Sequence, residues 1–217
     1  MNRHHYLLVD TETTIRQTVA DFGAVVMTKQ GKIVEQFGAL INGHFGTLPL
    51  FSTPKAKPED FWSTQMAHRR RKHYDALLDQ GQRSICSPTL VNLWLARIMG
   101  QYNPVVTAYK LSFDLGKCAN TGIDLGIFSQ RFCSMKVAKK VIGIRADYQQ
   151  FCVDQNLLTA KKRKPQMTAD AMAKFVVGED LPNEPHTALE DARDYEAPIL
   201  ASILKKVSRT NLLELGQ

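Results

Sequence analysis

The chain has 217 residues, of which 44% are hydrophobic and 23% are charged, a balance typical of a soluble globular protein. No apolar run approaches the roughly 20 residues of a membrane-spanning helix. The N-terminus has no signal-peptide pattern, so we expect a cytoplasmic protein with no membrane partner. The net charge of +7 and the pI near 9.3 favour an anionic partner such as nucleic acid.

The chain opens with a predicted buried strand that ends in two closely spaced acids. Residues 6–9 read YLLV, and Asp10 and Glu12 follow with only Thr11 between them. Because successive strand side chains point to opposite faces, both carboxylates are expected on one face. Two like charges there repel, so either solvent at the strand end or a divalent cation must offset the repulsion.

Two further strands are predicted directly after the first. They cover residues 22–27 and 32–41, and the short polar joint TKQGK between them contains Gly31, which fits a hairpin. The chain is therefore expected to begin with three antiparallel strands.

A basic segment follows at about residues 43–85. Residues 43–60 are rich in Gly, Pro and Lys and predict a long loop, and residues 61–80 predict a helix that carries the cluster HRRRKH at 68–73. That cluster fits a solvated helix face and a phosphate-tracking patch equally well. We interpret the whole segment as an insertion into the surrounding domain.

The middle of the chain alternates helices and strands. Residues 87–102 have apolar positions at helical spacing after a Ser-Pro start, and residues 104–109 predict a short buried strand. Ser112 is the expected N-cap of a helix from Phe113 to about Gly122. Residues 131–135 predict a fifth strand.

The C-terminal third is predicted to be mostly helical. Helical structure is expected from the end of the fifth strand to about Leu158. A helix follows over residues 168–178, with Thr168 as N-cap and Gly178 at the end. The final helix is expected from about Thr187 to Ser208. The element order predicts an α/β fold with a mixed five-stranded sheet flanked by helices, in a single domain over residues 1–217.

The four cysteines are widely spaced and form no C-x-x-C pair. We expect them to be reduced and structural, as in a cytosolic protein, and no Cys or His pair has zinc-finger spacing. They are Cys86, Cys118, Cys133 and Cys152.

Further candidate ligands lie far from the first strand in sequence. Asp114 falls in the first turn of a predicted helix, where an acid also suits the helix dipole without any function. In EPHTALEDARD, Thr187 and Glu190 have the spacing of a capping box, which places His186 just outside the last helix and Asp191 one turn inside. Four carboxylates and a histidine form the set that a two-metal hydrolase requires.

These three stretches, VDTETT, AYKLSFD and HTALED, resemble the three motifs of the DEDD superfamily of 3′–5′ exonucleases, also called DnaQ-like, which has the ribonuclease H-like fold. The spacing from His186 to Asp191 is similar to the DEDDh branch. The tyrosine branch would need a Tyr at the place of Thr187. The resemblance covers about residues 5–205.

The resemblance implies a role for each motif residue. Asp10, Glu12, Asp114 and Asp191 would hold two Mg²⁺ or Mn²⁺ ions, and His186 would be the general base. The substrate would be the single-stranded 3′ end of DNA or RNA, and nucleoside 5′-monophosphates would be released one at a time.

The sequence departs from the family pattern at positions expected to contact substrate. Thr14 and Ile15 follow Thr13 where many members have Gly and an apolar residue, so Ile15 is the expected contact to the terminal base. Lys110 stands where a small polar residue is usual, and it reaches either a substrate phosphate or solvent. None of these changes removes a metal ligand.

Three alternatives stay open at this point. One is an oligoribonuclease-like enzyme that acts on short RNA. Another is a nucleic-acid-binding module with little turnover, and the third is a proofreading subunit whose partner is a polymerase.

Overall fold

The computed structural model describes residues 4–47, residue 50 and residues 71–217, and these form a six-stranded sheet with helices on both faces. The strand order is β4-β3-β2-β1-β5-β6. The strands are β1 His5–Thr13, β2 Val19–Thr28, β3 Ile33–Ile41, β4 Ser84–Cys86, β5 Val105–Ala108 and β6 Arg131–Cys133.

The sheet is mixed, as predicted. β1, β2 and β3 pair antiparallel through successive hairpins, whereas β4, β5 and β6 each pair parallel with a neighbour. Gly31 has a φ of 86° in the β2–β3 turn, where a residue without Cβ is favoured. This arrangement of three antiparallel strands followed by parallel additions is the one expected for a ribonuclease H-like fold.

The predicted number of five strands is wrong, because β4 adds a sixth at the edge beside β3. β4 has only three residues, Ser84, Ile85 and Cys86, and so few residues give no alternating pattern that sequence reasoning could detect.

The helices alternate with the parallel strands. In chain order they are α1 over residues 71–79, α2 Pro88–Tyr102, α3 Leu111–Thr121, α4 Ser134–Val141, α5 Ala146–Asp154, α6 Ala169–Val177, α7 Ala188–Glu190, α8 Ala197–Leu204 and α9 Arg209–Leu215. A 3₁₀ turn covers Leu125–Ile127, and a π-helical segment, Asp191–Glu196, joins α7 to α8.

Most of the predicted helix caps are confirmed, and the predicted cap at Ser112 is wrong. The side chains of Ser87 and Thr168 accept backbone N–H groups at the starts of α2 and α6, and Gly122 ends α3 in the left-handed conformation. Ser112 is not an N-cap, because α3 already begins at Leu111. Asp114 still falls in the first turn, as the sequence predicted.

The sheet separates two hydrophobic cores. Tyr6 and Leu8 of β1 enter a core built with α4, α5, α6, α8 and α9, whereas Leu7 and Val9 enter a core built with α2 and α3. This alternation puts β1 in the middle layer, covered on both faces. That residues 1–217 form a single domain stays a prediction.

Part of the predicted basic segment lies outside the described residues. Of the cluster at 68–73, the structure describes only Arg71, Lys72 and His73, which are exposed on α1. The predicted loop is described at 43–47, where the chain forms turns, and at residue 50.

All four cysteines are buried and free. Within the described ranges, every helix is too short or too polar to span a bilayer.

Gly23 of β2 marks the closest approach between the sheet and α7. A Cβ atom at this position would lie 2.2 Å from the carbonyl carbon of Ala188. Because that neighbour is backbone, it cannot move aside as a flexible side chain would. The absence of a side chain at Gly23 therefore lets the start of α7 pack directly on the sheet.

We expect Gly23→Ala to lower the free energy of unfolding by about 1–3 kcal/mol, through overpacking at this contact. The matched control is Gly100→Ala in α2, where a Cβ would meet nothing within 4 Å. There, replacement of a helical glycine should stabilise the protein by up to about 1 kcal/mol. Urea titrations of both variants measure the difference, and equal stability of the two would contradict the packing argument.

Candidate active site

A cavity of about 470 Å³ opens where β1 and β5 end. In α/β sheets, ligands commonly bind outside the carboxyl ends of strands. Six carboxylates line this cavity, whereas Lys110 and His186 are the basic side chains among its described lining residues. The six are Asp10, Glu12, Asp114, Glu184, Asp191 and Glu196.

β1 supplies the first two carboxylates and orients a third. Asp10 and Glu12 share the face of Leu8, which is turned toward α8. Thr11 points to the other face, where its Oγ1 donates a hydrogen bond of 2.8 Å to Oδ1 of Asp114. Because side chains alternate along β1, Thr11 contacts Asp114 of α3 on one face. Asp10 and Glu12 lie on the opposite face, toward α8.

His186 lies just before α7 in a left-handed backbone conformation with a φ of 58°. Its Nδ1 is 3.7 Å from Oε1 of Glu12, and its side chain is 43% exposed. The backbone N–H of His186 hydrogen-bonds to the carboxylate of Asp191. Ligand atoms of Glu12, His186 and Asp191 all lie within 4.8 Å of one another, so these three side chains could share one metal ion.

The predicted capping box at the start of α7 is wrong. Thr187 makes no side-chain capping bond. Instead, Oδ2 of Asp21 on β2 accepts the N–H of Ala188 at 2.8 Å, and Glu190 pairs with Arg83. The cap therefore comes from a strand that is remote in sequence, which a local motif cannot reveal.

A buried ionic network connects α1 and β4 to this helix start. Arg83, which is 4% exposed, lies with its Nε 3.6 Å from Oδ1 of Asp21 and also forms an ion pair with Glu190. The hydroxyl of Tyr74 on α1 donates to the carbonyl oxygen of His186 at 3.3 Å and lies close to Asp21. The end of the basic segment thus holds the backbone that carries His186.

The carboxylates of the cavity raise one another's proton affinity. Burial raises the pKa of Asp114 to about 7, and burial together with nearby Glu184 raises the pKa of Asp191 to about 8. For Asp10, burial and then the neighbouring charge of Glu196 raise the pKa well above its usual range. Burial thus penalises the charged form of all three acids, and for Asp10 and Asp191 the neighbouring negative charges add to that penalty.

The donor set fits a divalent metal such as Mg²⁺ or Mn²⁺. Such cations prefer several carboxylate oxygens as ligands, and the cavity presents them from three separate elements. Among the described residues, Oδ1 of Asp191 has no hydrogen-bond partner although Asp191 is 5% exposed. A buried acceptor of this kind is compatible with a metal ligand.

The three predicted substrate contacts are placed differently. Lys110 lines the cavity, with its Nζ 5.6 Å from the ring centre of Phe113. Thr13 ends β1 and Ile15 lies in the following turn. Both are partly exposed, and neither is among the described residues that line the cavity.

Sequence reasoning missed several residues of the site. Phe113, which the sequence predicts only as the start of a helix, is 37% exposed at the cavity. Glu184 and Glu196 were not considered as site residues. Glu184 lies two residues before His186, and this closeness is a signal that could have singled it out. Glu196 lies five residues after Asp191, a spacing that α-helical geometry assigns to a different face, so no local pattern indicates it. Asp194 is 44% exposed and pairs with Arg193.

Comparison with known proteins finds likeness among solved structures. No protein-family model and no curated protein matches the chain. Among solved structures, the chain is similar to "Exonuclease X in complex with 5′ overhanging duplex DNA", with 15% sequence identity and a TM-score of 0.42, over 97% of this chain and 98% of that chain. Because that similarity is low, the functional conclusion depends on the geometry of the site itself.

We expect the metal-free protein to lose stability between about pH 5 and pH 8. In the unfolded chain, Asp carboxyls titrate near pH 4, whereas Asp114 and Asp191 in the fold have pKa values of about 7 and 8. The folded state therefore binds more protons in this window, so the free energy of unfolding falls as pH rises. Thermal melts without metal should show Tm falling across this window, by about 2–4 °C for each kcal/mol lost in a chain of this size.

Mn²⁺ competes with these protons, so it should raise Tm more at pH 8 than at pH 5.5. Asp114→Asn removes one of the repelling charges. It should raise the Tm of the metal-free protein at pH 8 and reduce the effect of Mn²⁺. A Tm that is equally insensitive to Mn²⁺ at both pH values would contradict this account of the cavity.

A second prediction concerns the buried network. Arg83→Met leaves Asp21 without its buried counter-ion and should cost about 3–5 kcal/mol of stability. The double variant Arg83→Met/Asp21→Asn should recover part of that loss, because the uncompensated charge is then gone. Arg97→Met, which removes an exposed ion pair with Glu35, is the control and should have a much smaller effect. Denaturant titrations compare the variants.

Proposed function

We propose that the chain is a metal-dependent nuclease of the DEDDh type, which removes nucleoside 5′-monophosphates from the 3′ end of a nucleic-acid strand. One observation carries the proposal. Asp10, Glu12, Asp114 and Asp191, from three distant parts of the chain, line one cavity together with His186. The family resemblance of the three motifs is the reason for the 3′–5′ direction and for the nature of the product.

The four acids would hold two Mg²⁺ or Mn²⁺ ions. When bound, such ions stabilise the negative charge of a phosphodiester and of the oxygen atoms that attack it and leave it. Asp10 is fixed by the central strand, and Asp114 is oriented by Thr11. Asp191 is held by the N–H of His186. Asp10, Asp114 and Asp191 are thus oriented by the fold before any substrate binds.

His186 has the chemistry and the position for a general base. Its imidazole reaches the cavity from a partly exposed position, so it can exchange protons with solvent. Nδ1 faces Glu12, and a carboxylate there favours the protonated ring after the imidazole takes a proton from the attacking water. Tyr74 restrains the backbone of His186 through its carbonyl oxygen.

The rim of the cavity supplies groups that suit a nucleotide. Lys110 offers a positive charge for a phosphate, and Phe113 offers an exposed ring on which a base can stack. Lys117 lies 4.6 Å from the same ring and strengthens the positive charge at this side. Lys110 therefore stays a predicted substrate contact, as do Thr13 and Ile15, which would have to meet substrate outside the cavity.

The direct test is incubation of the protein with end-labelled DNA and RNA oligonucleotides, single-stranded and double-stranded, in Mg²⁺ or Mn²⁺. We expect stepwise shortening from the 3′ end, release of 5′-monophosphates and complete inhibition by EDTA. Digestion of dinucleotides but not of long strands would point to an oligoribonuclease-like enzyme. Strand binding in EDTA without turnover in either metal would overturn the enzyme assignment. The polymerase partner and the cytoplasmic location stay predictions.

We expect His186→Ala to lower the rate constant for strand cleavage by about 100- to 10,000-fold, since a general base contributes a factor of this size. The carboxylates remain, so Mn²⁺ binding should be largely preserved. His4→Ala, which removes an exposed histidine before β1, is the matched control and should keep the normal rate. If purified His186→Ala protein digests a labelled oligonucleotide as fast as the parent, His186 is not the base.

A further inference from the structure

Glu196 brings to the cavity a carboxylate that the function proposed above does not use. Glu196 is 6% exposed, and it lines the same cavity as Asp10, Asp114 and Asp191. The backbone N–H of Tyr109 hydrogen-bonds to this carboxylate, but within the described part of the chain Oε2 has no hydrogen-bond partner. A buried acceptor atom without a partner is costly, so it points to a ligand that supplies the missing interaction.

The π-helical segment is the reason that Glu196 reaches the cavity. The N–H of Ala197 bonds to the carbonyl of Ala192, five residues earlier, rather than to the residue four earlier. In an α-helix, residues five apart are separated by about 140° around the axis. In a π-helix, residues i and i+5 belong to the same hydrogen-bonded turn and face the same side. Asp191 and Glu196 therefore both point into the cavity.

The charges around Glu196 have one sign. Its acidic neighbours come from β1, α3 and the π-helical segment itself, and Glu184 approaches from the loop before α7. Lys110 is the single lysine or arginine among the described residues that line the cavity. One lysine at the rim does not balance so many carboxylates, whereas divalent cations among them would.

We propose that Glu196 is a fifth carboxylate of the cation site, and that Oε2 binds a divalent cation directly or through one water molecule. This inference rests on the proposed function, because it takes the cavity to be a metal site. Glu196 is thereby added to the four acids of the sequence motifs, and it reaches the cavity because of the π-helical segment. Glu196 would act on the cation and would not itself react with substrate.

The test is titration of the purified full chain with Mn²⁺ by isothermal calorimetry. Glu196→Gln should weaken Mn²⁺ binding by about 10- to 100-fold. Nuclease activity should fall at low Mn²⁺ and recover as Mn²⁺ is raised, which a variant damaged only in its fold would not do. Asp194→Asn is the control, because Asp194 lies in the same π-helical segment but is 44% exposed and paired with Arg193.

The outcomes separate this inference from the proposed function. If the parent protein binds Mn²⁺ and Glu196→Gln binds it equally well, the role of Glu196 is overturned while the nuclease proposal stands. If the parent protein binds no Mn²⁺, both are overturned. Should Glu196→Gln fail to fold, Glu196→Met offers an apolar side chain of similar length that suits a buried position, and the same loss of affinity is expected.

Discussion

The structure depends on one electrostatic constraint, the close approach of several carboxylates at the end of the central strand. Asp10 lies at the end of a buried stretch of β1, among Glu12, Asp114, Asp191 and Glu196. Each charge raises the proton affinity of the others, so the cluster costs free energy unless cations or protons offset it. A fold that keeps such a cluster must hold it in place with contacts made elsewhere.

Those contacts are made around the start of α7 rather than by the acids themselves. Gly23 lets α7 pack on β2 without an intervening side chain, and Asp21 caps the same helix. Arg83 neutralises Asp21 and fits beside Gly38, where a Cβ would lie 2.9 Å from its guanidinium carbon. Asp21 is thus a buried acid with a counter-ion. Asp191, in the π-helical segment after α7, belongs instead to the cluster of cavity acids, whose charges the one lysine among the described lining residues does not balance. The difference separates a structural carboxylate from the candidate ligands.

The sequence predicts those features of the fold and of the candidate site that depend on residues close together in the chain. The strand alternation that pairs Asp10 with Glu12, the cap of α2 at Ser87 and the spacing of His186 from Asp191 are properties of short stretches, so they were readable. The cap supplied by Asp21 joins residues 167 positions apart, and the Thr11–Asp114 bond joins residues 103 apart. Glu196 was missed for a different reason, because helical spacing of 3.6 residues assigns it to the wrong face.

The acidic cavity and the basic chain together set the order of events that the site can support. The net charge of +7 draws a polyanion toward the protein, but the cavity itself repels a phosphate as long as its carboxylates are unbalanced. Lys110 and Lys117, both near the Phe113 ring, add positive charge at the rim but do not reverse the sign of the interior. In the proposed function, cation binding therefore has to precede, or accompany, the entry of a strand end into the cavity. On that proposal, the same charge imbalance would make nucleic-acid binding in the cavity conditional on the metal.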